Sequence, residues 1–247
     1  MKRTRIMCFF VLFPLFFASC AARISGSLQA NGQADLNIYA ALEPRMAALI
    51  ASFANAGSPV PGGQSGAPIL NGPAISASMS SAPGVASVSF KNTTPAAIEG
   101  PVKVSRIGDF LAGGKTSGFI SFEQQPPKSG EPSGGGRCVI SLSLDSGPDI
   151  LALISPDIGD YLSALMAPLA TGEALTKTEY LALVRSVYSA GIANEIANAS
   201  IRASIDFPGQ VQSVRGGTFS GRRADFNIPL LDLLVLETPL SYEVTWR

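Results

Sequence analysis

The sequence predicts an α+β domain in which a mainly antiparallel, twisted sheet is covered by helices on one face. Strands with alternating apolar and polar residues lie towards both ends of the chain, which is typical of sheets with one dry and one wet face. Helical periodicity is concentrated between Pro148 and Ala197. Residues 58–73 and 124–136 are rich in proline, glycine and serine, and they predict flexible loops within a single domain of residues 20–247.

The chain begins with the features of a lipoprotein signal peptide, residues 1–19. A basic segment, Lys2–Arg5, precedes the apolar run Ile6–Phe17, which is too short to span a bilayer. The tetrad Phe17–Cys20 resembles the lipobox of bacterial lipoproteins, in a relaxed form like that of spirochaetal lipoproteins. This resemblance implies that Cys20 becomes the first residue of the mature chain and carries acyl groups such as palmitate. An ordinary signal, cut nearby by the general peptidase, is the alternative.

Composition narrows the classes of function. The first 19 residues contain three of the 18 basic residues, so the rest of the chain is slightly acidic and is not expected to bind nucleic acid. The chain has no histidine, the commonest general base and transition-metal ligand, and we expect no cofactor or metal. Cys138 is the sole cysteine after Cys20, and its place on an apolar strand face predicts a small buried hydrophobe rather than a reactive thiol.

The N-terminal part of the domain predicts a hairpin followed by a helix. Ile24–Ala30 and Ala34–Ala40 read as strands around Asn31-Gly32. A three-residue loop that sets Leu28 opposite Leu36 is preferred, because it places the apolar side chains on one face. Those apolar side chains are Ile24, Leu28, Leu36 and Ile38. A short helix from Pro44 up to Gly57, with one buried stripe, is predicted next.

Short strands are predicted in the middle of the chain, on either side of the second loop. They are Val85–Phe90, Pro101–Ile107, Ser117–Phe122 and the alternating segment Cys138–Leu144. The helical centre follows, with one helix starting at Ser155-Pro156-Asp157 and ending at Pro168. A second helix is predicted from the capping-box spacing of Thr176 and Glu179, and Gly191 is expected to end or interrupt it.

The C-terminal part has the clearest strand pattern. Apolar residues alternate with polar ones from Ile201 to Phe207 and from Leu240 to Trp246, and Phe219 and Phe226 mark two further strands. Three arginines near these strands, Arg215, Arg222 and Arg223, form a predicted basic tip that could contact a lipid head group or simply be solvated. The apolar strand faces could line a cavity for an acyl chain or form an ordinary core, and sequence does not separate the two.

The sequence contains parts of a phosphate-binding motif and of a protease motif, but neither is complete. Gly113–Thr116 lacks the glycine spacing of a phosphate-binding loop. Leu144–Gly147 resembles the Asp-Ser/Thr-Gly signature of aspartic proteases, but only one copy is present, so Asp145 would need a symmetric dimer to act. The chain has no Gly-x-Ser-x-Gly elbow and no histidine to activate a serine.

The segment Ile205–Val211, followed by Gly216-Gly217 and a closing Val244–Trp246, resembles the C-terminal part of the LppM family of bacterial lipoproteins. The resemblance implies a place in the cell envelope and binding of envelope lipids, and it transfers no catalytic residue. We therefore expect a non-enzymatic lipoprotein, anchored through Cys20 to a bacterial membrane and facing the periplasm or the surface. It would bind an envelope lipid, another apolar ligand or a partner protein. An aspartic-type hydrolase and a purely structural scaffold are the alternatives.

Overall fold

The computed structural model of this chain describes residues 20–56, 68–112, 118–125, 134–146, 168 and 171–247. The predicted signal peptide, the helix predicted at Ser155 and the Gly113–Thr116 turn lie outside the described residues. The remainder combines helices with mostly antiparallel sheets, so the predicted α+β class is confirmed.

Twelve strands and six helices make up the described residues. The strands are β1 (Cys20–Leu28), β2 (Ala34–Leu42), β3 (Val85–Val88), β4 (Lys91–Thr94), β5 (Ala97–Val104), β6 (Ile120–Gln124), β7 (Gly136–Leu142), β8 (Ser200–Asp206), β9 (Val211–Arg215), β10 (Gly217–Ser220), β11 (Arg223–Pro229) and β12 (Leu240–Trp246). The helices are α1 (Pro44–Ala56), α2 (Gly72–Met79), α3 (Ile107–Ala112), α4 (Lys177–Val187), α5 (Ala190–Asn198) and α6 (Leu230–Val235).

The strands form two sheets, where the sequence suggested one. The larger sheet has the order β10-β11-β8-β1-β2-β5-β3, with β4 also paired to β5, and the smaller has the order β6-β7-β12-β9. Within these sheets β1 and β8 pair in parallel, and the other pairs are antiparallel. The chain passes from the smaller sheet to the larger at Gly216, whose φ of +75° suits glycine and where a Cβ would lie 2.6 Å from the Tyr242 ring.

The β1–β2 hairpin has the predicted loop length but not the predicted register. Leu28 pairs with Ala34 rather than with Leu36. Gln29 N donates to Gln33 O at 2.7 Å, which closes a three-residue loop, and Gly32 takes the left-handed conformation that such a loop needs. The loop therefore lies one residue earlier than predicted, which changes the register by two. Because side chains alternate with a period of two, the predicted apolar face is kept.

Helix α4 begins as predicted. Glu179 N donates to Thr176 Oγ1 at 3.2 Å, and Thr176 N donates to Glu179 Oε2 at 2.9 Å, which completes the capping box. The chain breaks before Gly191, because Ser189 caps the separate helix α5 by accepting a hydrogen bond from Ile192 N at 3.2 Å. Gly191 therefore lies inside α5.

Several boundaries differ from the predictions. Helix α2 begins inside the predicted 58–73 loop, because Asn71 caps it through Ala74 N at 3.0 Å. Strand β7 ends at Leu142, since Ser146 N bonds to Ser143 O in a turn. Pro168 and Thr171 both have helical backbone, and the Pro168 carbonyl accepts a hydrogen bond from Gly172 N at 3.0 Å, so Pro168 does not end the helical conformation as predicted. The sequence did not predict strands β4 and β9 or helices α3 and α6. The strands predicted at 101–107 and 117–122 correspond to β5 and β6, with shifted ends.

Two different layers cover the inner face of the larger sheet. Near the Cys20 end, helices pack on it through fully buried side chains, including Met46, Tyr180, Ile196 and Leu230. Glu195 of α5 accepts hydrogen bonds from Arg45 N and Met46 N, both at 3.0 Å, and so ties α5 to the start of α1. Towards the other end, the smaller sheet and α3 take the place of the helices. Among the described residues, the outer face of the larger sheet carries exposed polar side chains such as Arg23, Asn37, Arg202 and Asp225.

Candidate functional site

An apolar cavity of about 290 Å³ lies between the inner faces of the two sheets. Its larger-sheet wall consists of Ile24, Leu28, Ala34, Leu36, Ala203, Ile205, Phe226 and Ile228. Its smaller-sheet wall consists of Phe122, Cys138, Ile140, Tyr242, Glu243 and Val244. Helix α3 contributes Ile107, Phe110 and Leu111, and Phe207 follows the end of β8.

Small residues in the larger sheet explain why space remains between the two walls. Ile24 is in register with Ala203, and Gly26 is in register with both Leu36 and Ile205. A side chain at Gly26 is excluded, because a Cβ there would lie 2.1 Å from the Asp35 carbonyl oxygen. Glycine and alanine in the centre of an inner face give the facing sheet fewer atoms to pack against.

Aromatic contacts hold the sheets together beside the cavity. Phe226 and Tyr242 meet edge to face at 6.2 Å between ring centroids, and Phe207 and Trp246 lie 4.8 Å apart. Phe122 is 6.0 Å from the same Trp246 ring. Burial raises the pKa of the Tyr242 phenol, so it stays neutral at physiological pH. These rings give the cavity a defined and uncharged boundary.

Cys138 lies in the wall of the cavity as a protonated thiol. Burial raises its pKa to about 11. A nucleophilic cysteine needs a lowered pKa and a cationic neighbour, and Cys138 has the opposite environment. Cys138 is half-buried against the core rather than fully buried, and its environment is apolar, as the sequence predicts.

Glu243 is the charged residue nearest the cavity, and its carboxylate lies on the outer face of the smaller sheet. Arg137 Nε donates to Glu243 Oε1 at 2.7 Å, and Arg215 approaches the other oxygen at 3.8 Å. The hydrogen bond from Arg137 lowers the pKa of Glu243, so its carboxylate is ionised and paired. Arg137 and Arg215 are both largely exposed. The cavity itself is left to apolar side chains.

The three arginines of the predicted basic tip do not form one cluster. Arg223 makes two hydrogen bonds to Asp206, at 2.7 and 2.9 Å, on the outer face of the larger sheet. Arg222 Nε donates to Phe207 O at 2.8 Å. Arg215 belongs to the outer face of the smaller sheet, where it approaches Glu243. Their role in head-group contact stays a prediction.

Cys20, the predicted lipidation site, is the first residue of β1, a central strand of the larger sheet. Its backbone pairs with Leu42, and no linker separates it from the folded domain. Ser27 is seven positions after Cys20 in the same strand. It is in register with Asp206, which accepts hydrogen bonds from Arg223. At about 3.3 Å per residue, the tip of the β10–β11 hairpin is roughly 23 Å along the strands from Cys20.

The described residues form no metal centre. They contain no group of three or more Asp, Glu and Cys side chains that could hold a metal ion. Asp145 lies in a short 3₁₀ turn, Leu144–Ser146, and accepts no hydrogen bond from another described residue. Asp145 and Ser146 therefore have the local turn structure that the sequence also allows, and Gly147 lies outside the described residues.

Helix α3 is the part of the cavity that the sequence interpretation missed. Ile107, Phe110 and Leu111 all line the cavity. Their i, i+3, i+4 spacing is the signal that could have identified this helix. The predicted strand Pro101–Ile107 includes the first residue of this helix, because Val102 and Val104 begin a clear alternation just before it.

Among the described residues, no helix is both long and apolar enough to cross a membrane. No protein-family model matches the chain. No curated protein matches it either. Its structure is similar to the NMR structure of the folded domain of Mycobacterium tuberculosis LppM, with a TM-score of 0.40, 11% sequence identity, and coverage of 93% of this chain and 90% of that one. No residue of the present chain takes a role from the likeness.

Proposed function

We propose that this protein is a cell-envelope lipoprotein, anchored through Cys20, that binds an apolar or amphipathic molecule in the cavity between its two sheets. The observation that carries the proposal is the cavity itself, with apolar walls supplied by both sheets and by α3. Concave, mainly apolar sites are the usual form of small-molecule sites in proteins. An envelope lipid is the ligand class that combines this chemistry with a membrane-anchored protein.

The size of the cavity restricts the ligand. Its volume of about 290 Å³ is at the lower end of the range for ligand sites, about 300–1,000 Å³. This volume suits one acyl chain or a small apolar molecule rather than a complete two-chain lipid. A polar head group would remain outside, because the walls carry few polar groups to receive it.

The chemistry of the walls favours binding over catalysis. The Cys138 thiol and the Tyr242 phenol are both kept neutral by burial, and Glu243 is paired with Arg137. None of these groups is prepared to attack a substrate or to transfer a proton at neutral pH. We therefore propose a non-enzymatic role.

Cavity-filling substitutions test the ligand site. A chain that begins at residue 20 and carries Cys20→Ser would be purified, its lipid extract examined by mass spectrometry, and its affinity measured for a fluorescent fatty acid. Cys138→Phe places a ring in the cavity and should lower this affinity at least about tenfold, because an apolar ligand needs the same space. Val139→Phe is the matched control, since Val139 is in register with Glu243 on the opposite face of the sheet.

Equal affinity for the two phenylalanine variants would refute the cavity as the binding site. Absence of both extracted lipid and fatty-acid binding in the parent chain would favour the structural-scaffold alternative. The anchor has its own test. Cys20→Ala in the full chain should release the protein from membranes and abolish incorporation of labelled palmitate, and label retained on that variant would contradict acylation at Cys20.

A further inference from the structure

Two arginines lie side by side on the open outer face of the larger sheet. Arg23 of β1 is directly in register with Arg202 of β8, and both residues are exposed. Neighbouring strands are only about 4.8 Å apart, and like charges directly opposite each other on a sheet are destabilising. Within the described part of the chain, neither arginine belongs to an ion pair. The sheet therefore carries a concentrated positive charge that its own described carboxylates do not pair.

The surroundings of the pair supply further hydrogen-bond donors. Both arginines line a groove of about 690 Å³ together with Ser25, Thr218 and Asn227. Asp225 is the carboxylate of this groove, and it accepts a hydrogen bond from Ser204 Oγ at 2.6 Å. It is in register with Ser204 rather than with Arg202. Two guanidinium groups with hydroxyl and amide neighbours form a surface complementary to a phosphate group.

The position of the pair identifies the source of that phosphate. Arg23 is three residues after Cys20 in the same strand, a distance of about 10 Å. This is close to the Debye length at physiological ionic strength, about 8 Å, so the pair would be attracted by a membrane that holds Cys20. Arg222 and Arg223, at the tip of the β10–β11 hairpin, are roughly 23 Å away along the strands, which is more than two Debye lengths from that surface.

We propose that Arg23 and Arg202 bind the phosphate of an anionic phospholipid in the membrane to which Cys20 is anchored. This proposal rests on the anchor and not on the cavity, which is on the opposite face of the larger sheet. The contact would hold the domain against the membrane in one orientation. It assigns the head-group contact to residues other than the predicted Arg215, Arg222 and Arg223.

Native mass spectrometry of the full chain in detergent tests this proposal, with phosphatidylglycerol, phosphatidylcholine and inorganic phosphate as separate titrants. Near an anionic surface each basic residue contributes about fivefold to the affinity, so two such residues together contribute about 30-fold. Arg23→Gln/Arg202→Gln should therefore lower the affinity for phosphatidylglycerol about 30-fold. Arg222→Gln/Arg223→Gln removes two positive charges at the far hairpin tip and should leave that affinity within about twofold of the parent value.

Three results would overturn the proposal: equal affinity of the parent for the anionic and neutral lipids, equal loss in the two double variants, or displacement of phosphatidylglycerol by inorganic phosphate at similar concentration. The last result would assign a free anion rather than a lipid. Thermal unfolding serves as the folding control, since removal of two exposed like charges should not lower the melting temperature. A failure of fatty-acid binding in the cavity would leave all of these outcomes unchanged, which separates the two proposals.

Discussion

Replacing Gly136 with alanine should destabilise the protein by forcing a methyl group into the ring of Trp246. A Cβ at this position would lie 2.1 Å from Trp246 Cζ2 and 2.7 Å from the Glu123 carbonyl oxygen. Both distances are far below van der Waals contact, so either the indole or the β6–β7 pairing must move. Trp246 is only 2% exposed and packs against Phe207, so the ring has no free space to enter.

Two known costs set the lower and upper limits of the expected destabilisation. Overpacking of a filled core usually costs about 1–3 kcal/mol. Complete removal of a large buried aromatic side chain from the core costs about 3–5 kcal/mol. This cost is an upper limit for the variant, because the indole would leave the core if overpacking cost more. We expect a loss of about 3 kcal/mol in the free energy of unfolding. For a domain of this size, that corresponds to a fall of roughly 6–12 °C in melting temperature.

Urea unfolding followed by fluorescence measures this loss directly, because Trp246 is the single tryptophan of the chain. Gly108→Ala is the matched control. Gly108 lies in α3, and no atom is within 4 Å of the position that its Cβ would take. That variant should be neutral or stabilised by up to about 1 kcal/mol, since alanine favours a helix over glycine. Equal unfolding midpoints for the two alanine variants would refute the packing argument.

Three further predictions concern the helix cap, acid stability and the buried thiol. Thr176→Ala should lose about 1 kcal/mol in urea unfolding, whereas Thr178→Ala should not, because only Thr176 caps α4; equal losses would contradict the cap. Arg223 lowers the pKa of Asp206, so this pair stabilises the fold above the ordinary value of 3.8 and the contribution is lost as pH falls through the lower folded value. Asp206→Asn should reduce the acid dependence of the unfolding midpoint, and an unchanged dependence would refute it. Because its pKa is about 11, Cys138 should react with a disulfide reagent at pH 8 roughly 100-fold more slowly in the native than in the unfolded chain. Equal rates would contradict its burial.

The cavity and the arginine pair occupy opposite faces of the same strands. Ile24 and Ala203 face the cavity, while their neighbours Arg23 and Arg202 face outwards. Strand alternation thus places an apolar site on one side of the sheet and a cationic surface on the other. Because Ile24 is four residues after Cys20, the cavity begins about 13 Å along β1 from the proposed anchor. A lipid bound in the cavity would be lifted at least partly out of the membrane.

Local signals in the sequence were sufficient for much of the secondary structure. The capping box at Thr176 and the alternation from Ile201 to Phe207 predicted α4 and β8, because each depends on neighbours in the chain. Helix α6 was missed because its run of leucines, Leu230–Val235, has no polar face from which a helical period can be read. The β1–β2 register was missed by two residues, because two registers place the same side chains on the dry face.

The sequence by itself determined which strand faces are apolar, where α4 starts and that no histidine is available for catalysis. Tertiary structure decided what each apolar face packs against. The parallel pairing of β1 with β8 joins segments from opposite ends of the chain, and it brings Arg23 beside Arg202 and Ile24 beside Ala203. The division into two sheets places Cys138 opposite the small residues of the larger sheet and leaves a cavity between them. Alternation identifies a face that avoids water, but only the spatial arrangement of large and small side chains decides whether that face becomes a filled core or a ligand site.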